Sequence, residues 1–135
     1  MKRMHPLTFV FLLILCPYVS ADTSDKIENI SSGDVILGNM NSIILDVRTP
    51  AEFQSGHIQG AININIKDSN FRDQIANLDP SKTYVVHCAA NVSNGRSQKA
   101  INMMLEAGFD RVFSLDGGII AWKEEGREIV INESK

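Results

Sequence analysis

Cysteine is almost absent from this chain, with two in 135 residues, Cys16 and Cys88. Histidine is equally scarce, at three. Three histidines and so few thiols offer no metal-ligand spacing, so no metal is expected. An excess of positive charge is missing too: 13 Lys and Arg stand against 16 Asp and Glu, for a net charge of −3. That balance gives no reason to expect nucleic acid as a partner. There is no internal repeat and no low-complexity tract. No apolar run is long enough to span a bilayer comfortably; the longest is Leu7 to Leu15. The length suits one domain with a proper core and is too short for two ordinary ones.

That apolar run sits in a segment with its own logic. Lys2 and Arg3 give a basic start, Pro17 breaks the run, and Val19-Ser20-Ala21 offers small residues at a cleavage point. This is the layout of a secretory signal peptide over residues 1–21, removed after Ala21. A lipoprotein signal built on Cys16 is disfavoured, because the preceding Leu15 is bulky. Cleavage removes Lys2 and Arg3 and takes the net charge from −3 to −5. It also removes Cys16. Cys88 is then alone, unable to form an internal disulfide, and reads either as a reactive thiol or as a small buried hydrophobe. The expected location is the periplasm or the exterior, with no stable membrane anchor after cleavage.

Residues 22–26 are a polar leader, and 27–130 hold the domain, with a tail over 131–135. Ile27 to Ile30 alternates like a short edge strand. Ser31 and Ser32 are N-cap candidates for a helical segment ending near Gly38. Ser42 to Val47 is a continuous apolar run of the kind buried on both faces of a parallel sheet. Thr49, Pro50 and Glu52 spell a helix start with a capping box. Ala61 to Ile66 alternates as a short strand, with its end open to a loop reading. Phe71, Ile75 and Leu78 have helical spacing. Thr83 to His87 is a second buried-type strand. Arg96 to Ala107 carries Ala100, Ile101, Met104 and Leu105 on one face, with Gly108 as the stop. Arg111 to Ser114 is a strand, and Ile119 to Glu125 a final helix. Strands alternating with helices predict an α/β fold around a mostly parallel sheet.

Cys88 therefore falls on the loop that leaves a buried strand and opens a helix. In parallel sheets such loops gather at the ligand site. The loop can turn backbone N–H groups inward as an anion nest, and the helix aims its positive end at the same place. Both favour a thiolate. Arg96 adds a cation with a fork able to grip an oxyanion. The combination suits a thiolate attacking an anionic sulfur, phosphorus or arsenic centre.

Two further stretches narrow the choice. Leu45-Asp46-Val47-Arg48-Thr49-Pro50-Ala51-Glu52-Phe53, followed by Gly56-His57-Ile58-Gln59-Gly60-Ala61-Ile62-Asn63, resembles the N-terminal signature of the rhodanese-like family. Val112-Phe113-Ser114-Leu115-Asp116-Gly117-Gly118-Ile119-Ile120-Ala121-Trp122 resembles its C-terminal signature. Cys88 stands between them at the family's active-site position. The resemblance implies a five-stranded mostly parallel sheet flanked by helices, with no cofactor. It implies a sulfurtransferase in which Cys88 carries sulfane sulfur as a persulfide. The sulfur would come from a small anionic donor such as thiosulfate. It would pass to a thiophilic acceptor, a small molecule or a protein thiol. Ala89, Ala90, Asn91, Val92, Ser93, Asn94 and Gly95 would cradle the terminal sulfur, and Arg96 and Ser97 match the loop-ending pair of many members.

One departure is plain. Seven residues separate Cys88 from Arg96, where many single-domain members have four and the related phosphatase loop five. The cradle is therefore of uncommon shape, and Asn94-Gly95 favours a tight turn with positive φ within it. Asp46 and Arg48 are expected to pair or to brace the loop. His57 and His87 read as structural, His87 because strand neighbours point to opposite faces. Trp122 reads as a core anchor. Asn91-Val92-Ser93 fits a glycosylation acceptor, and a glycan there would crowd the loop, which favours a bacterial periplasm. Two rival functions remain open: a non-catalytic binding or sulfur-relay module, and a thiolate phosphatase or arsenate reductase.

Overall fold

The computed structural model describes residues 27–36, 41–90, 92 and 94–132. The signal-peptide reading, the polar leader and most of the tail fall outside the described residues. Five strands form one sheet: β1 (Asn29–Ile30), β2 (Ser42–Asp46), β3 (Ile62–Asn63), β4 (Thr83–His87) and β5 (Val112–Leu115). The helices are α1 (Ser32–Ile36), α2 (Pro50–Gln54), α3 (Phe71–Ala76), α4 (Arg96–Glu106) and α5 (Gly118–Glu124). The spatial order is β1-β5-β4-β2-β3, and every pairing is parallel. Parallel neighbours need crossovers, which the alternating helices supply.

The order puts β4 in the middle, flanked by β5 and β2, and all five of its residues are buried. Its Tyr84-Val85-Val86 run is apolar without alternation because both faces are covered. Tyr84, Val86 and Cys88 belong to a core completed by Phe71 and Ile75 of α3 and Ala100, Ile101 and Met104 of α4. Val85 belongs to the other core, with Ile119 and Trp122 of α5 and Leu115 of β5. Successive β4 side chains thus serve opposite layers, as the two-residue period of a strand requires. Trp122 is buried, as its reading as an anchor predicted.

Local signals explain the helix ends. Thr49 caps α2, accepting from the Glu52 amide while the Glu52 carboxylate accepts from the Thr49 amide, with Pro50 in the first turn. Asn94 has φ 57 and the Gly95 amide donates to the Val92 carbonyl at 2.9 Å, which makes the expected tight turn. The alternating stretch Ala61 to Ile66 is strand only at Ile62 and Asn63. Beyond them Asn65 folds the chain: its side-chain carbonyl accepts from the Lys67 amide at 3.1 Å and its backbone carbonyl from Asp68 at 3.0 Å. An Asx turn therefore wins over the strand pattern.

Candidate functional site

The C-terminal end of β4 sets the position of Cys88. Its sulfur is nearly closed off, with the residue 4% exposed. The thiol donates to the Ala90 carbonyl at 3.0 Å, and the Ser97 hydroxyl lies 3.5 Å from the sulfur. Ser97 is buried in the first turn of α4, whose N-cap is Gly95. A glycine cap supplies no side-chain acceptor to the first amides of α4.

The expected amide cradle concerns the terminal sulfur of a persulfide, and two of its residues, Asn91 and Ser93, lie outside the described residues. The backbone group bonded to the sulfur is a carbonyl, that of Ala90. The reason lies in how the loop is anchored. The carbonyls of Cys88 and Ala89 accept from the amides of Ile119 at 3.2 Å and Ile120 at 3.0 Å in the first turn of α5. The Gly95 amide is committed to the turn with Val92. Ala89 and Ala90 are half-buried, whereas Val92, 58% exposed, and Asn94 project outward.

Arg96 is engaged by another side chain. Nη1 and Nη2 donate to Glu52 Oε2 at 2.7 Å and Oε1 at 2.9 Å. Glu52 Oε2 is held in turn by the amide of Thr49 at 3.0 Å and its hydroxyl at 2.8 Å. These donors hold the Glu52 carboxyl down at about 2, the Arg96 hydrogen bond contributing most, with part-burial working the other way. The Arg96 guanidinium is raised above its ordinary value, first by the Glu52 hydrogen bonds, with part-burial working the other way. Glu52 is the site residue that sequence reasoning missed. It reads there only as a capping residue, and the link to Arg96 spans 44 positions.

Asp46 and Arg48 do pair. Arg48 Nε donates to Asp46 Oδ1 at 3.0 Å and Nη2 to Oδ2 at 2.6 Å, with both side chains buried. Arg48 Nη2 also donates to the Gly56 carbonyl at 2.8 Å. His87 lies between this pair and the Cys88 backbone. Its Nε2 lies 3.7 Å from Asp46 Oδ2, and its Nδ1 donates to the Cys88 carbonyl at 3.0 Å. His87 Nε2 is buried without a hydrogen-bond partner. His57 is structural, stacked on Phe53 at 3.8 Å with Nδ1 at 3.0 Å from the Phe53 carbonyl. Among the described residues, no three His, Cys, Asp or Glu side chains are grouped to hold a metal ion.

The site is thus a thiol between a central strand and a helix start, beside a clasped Arg–Glu pair. A family model described as a rhodanese-like domain matches residues 25–125. The thiosulfate sulfurtransferase GlpE of Shewanella oneidensis is 42% identical over 81 residues, covering 60% of this chain and 75% of that one. A sulfurtransferase of Allochromatium vinosum is 29% identical over 109 residues, covering 81% and 97%. Among solved structures, a rhodanese-related protein of Thermoplasma volcanium superposes with a TM-score of 0.66 at 33% identity, covering 76% of this chain and 97% of that one.

Proposed function

Because the chain belongs to the rhodanese-like domain family, we propose that it is a sulfurtransferase whose carrier is Cys88. The observation that carries this reading is the position of the Cys88 sulfur, at the end of β4 and 3.5 Å from Ser97 in the uncapped first turn of α4. The thiolate of Cys88 attacks the outer sulfur of a donor such as thiosulfate. A Cys88 Sγ–S bond forms as the S–S bond of the donor breaks, and sulfite leaves with that bond's electron pair. A thiophilic acceptor, cyanide or a thiol, then attacks the terminal sulfur and the Cys88 thiolate departs. No external oxidant or reductant is needed. Loading requires the Ala90 carbonyl to turn away from the sulfur. The terminal sulfur of the persulfide then meets the amides of the α4 first turn and the Ser97 hydroxyl.

Incubation of the protein with thiosulfate is expected to add about 32 Da, one sulfur atom, to the peptide containing Cys88. Cyanide is expected to remove it as thiocyanate. Cys88→Ala is expected to show neither step. Loss of turnover without any mass gain in the unaltered protein would leave the second reading, a binding or sulfur-relay module. The near-closure of the thiol under the Ala90 carbonyl is what favours that alternative.

Residues 1–21 are proposed to direct export, on the basic start, the Leu7–Leu15 run and the small residues at Val19 to Ala21. Expression of the full chain should then yield a protein beginning at Asp22. An intact Met1 start in the exported fraction, or no exported fraction, would overturn it.

A further inference from the structure

Arg96 is the cation that opens the helix after Cys88, and it does not stand free. Glu52 occupies both ends of its fork at 2.7 and 2.9 Å, and Thr49 fixes Glu52 through two more hydrogen bonds at 3.0 and 2.8 Å. The carboxylate is thus locked by the first turn of α2, and the pair presents no net charge at the start of α4, the helix whose Ser97 faces the Cys88 sulfur. Neither side chain is deeply buried, at 27% and 36% exposure, so both act on ligands arriving from solvent. A dianion approaching this site gains from Arg96 and loses to Glu52 in nearly equal measure.

Resting on the sulfur-transfer reading above, we propose that Glu52 sets the charge preference of the donor site. By neutralising Arg96 it favours singly charged or uncharged sulfane donors, such as thiosulfonates and organic persulfides, over the dianion thiosulfate. Glu52 is a positioning and specificity residue: it acts through Arg96 and through the field at the loop, without contact to the reacting sulfur.

The charge dependence gives the test its shape. Removing one negative charge from the site favours a ligand in proportion to the ligand's own charge. For two unit charges one ordinary contact shell beyond van der Waals range in a water-like dielectric, the gain is about threefold per unit of ligand charge. Glu52→Gln keeps the capping box, since glutamine serves there as well as glutamate. The Glu52→Gln protein is expected to lower KM for thiosulfate about tenfold and KM for benzenethiosulfonate, a monoanion, about threefold. The change should lie in KM rather than kcat. Equal changes for both donors, or a fall in kcat/KM for both, would overturn the proposal and make Glu52 a brace for Arg96 alone. Should Glu52→Gln fail to fold, the unaltered protein supplies the second readout. Its KM for thiosulfate should vary less than about twofold between 20 and 200 mM salt. A steep rise with salt would reveal an uncompensated cation and overturn it. Failure of both donors to load Cys88 in the unaltered protein would sink the transfer reading and this one together. Loading by both donors, with an unchanged donor ratio in Glu52→Gln, sinks this one only.

Discussion

A carbonyl oxygen can only accept, so the 3.0 Å contact between His87 Nδ1 and the Cys88 carbonyl places a proton on Nδ1. The other nitrogen is buried without a partner, with a carboxylate oxygen 3.7 Å away. Burial pushes the His87 pKa down and outweighs the pull of Asp46. The folded protein therefore holds this imidazole neutral at pH values where the unfolded chain binds a proton. The sign follows: stability is full above the ordinary value of 6.5 and falls as pH drops below it. The loss should approach about 1.4 kcal/mol per pH unit until the folded group itself titrates. Asparagine places a donor where Nδ1 stands, so His87→Asn keeps the bond to Cys88 and removes the titration. Urea midpoints between pH 7.5 and 5 should fall for the unaltered protein and stay flatter for His87→Asn. Parallel curves would show that His87 does not set this dependence. His87 on the face opposite Cys88 was legible from strand alternation. Its return along its own backbone to the Cys88 carbonyl was not, because alternation says where a side chain leaves and not what its tip can reach.

The first turn of α5 is what steers the Cys88 loop, and two glycines allow it to come so close. Gly117 and Gly118 both have positive φ, 68 and 61. A Cβ on Gly118 would stand 2.8 Å from the Ala89 carbonyl oxygen and 2.9 Å from that of Cys88. Those are the two carbonyls that the Ile119 and Ile120 amides hold. Gly118→Ala should cost roughly 1–3 kcal/mol in backbone strain and also displace the loop. Gly108 is a suitable control, with φ 93 and nothing within 4 Å of its notional Cβ. Gly108→Ala should lose stability by strain alone and retain sulfur transfer, whereas Gly118→Ala should lose transfer beyond what its unfolding midpoint explains. Equal activities would mean that α5 does not position the loop. The alternation of strands and helices, the Thr49 cap, the Asn94 turn and the all-layer burial of β4 could all be read from local pattern. The Glu52–Arg96 clasp and the approach of α5 could not. Both join segments far apart in sequence, and only the strand order β1-β5-β4-β2-β3 makes them neighbours.

Because β4 contributes to both cores, neither layer can melt while the other persists. Trp122, the only tryptophan, lies in the α5-side core with its Nε1 donating to the Glu128 carbonyl at 2.9 Å. Its fluorescence reports that layer, while far-UV circular dichroism reports the whole sheet and its helices. The two should give one urea midpoint and one slope, in the usual range of about 1–3 kcal/mol per molar urea. Cys88 supplies a third probe with a different expectation. Its sulfur packs with the α3–α4 core, and the carbonyl of Ala90 in the following loop lies against it at 3.0 Å. Sulfur transfer demands that this loop open while the sheet stays intact. Labelling of Cys88 by a thiol reagent should therefore proceed in the absence of urea. At low urea its rate should rise far less steeply than the global slope predicts, and join that slope only near the midpoint. Labelling that follows the global slope from zero urea upward would mean that the thiol is reached only by unfolding, and that the loop does not open as transfer requires.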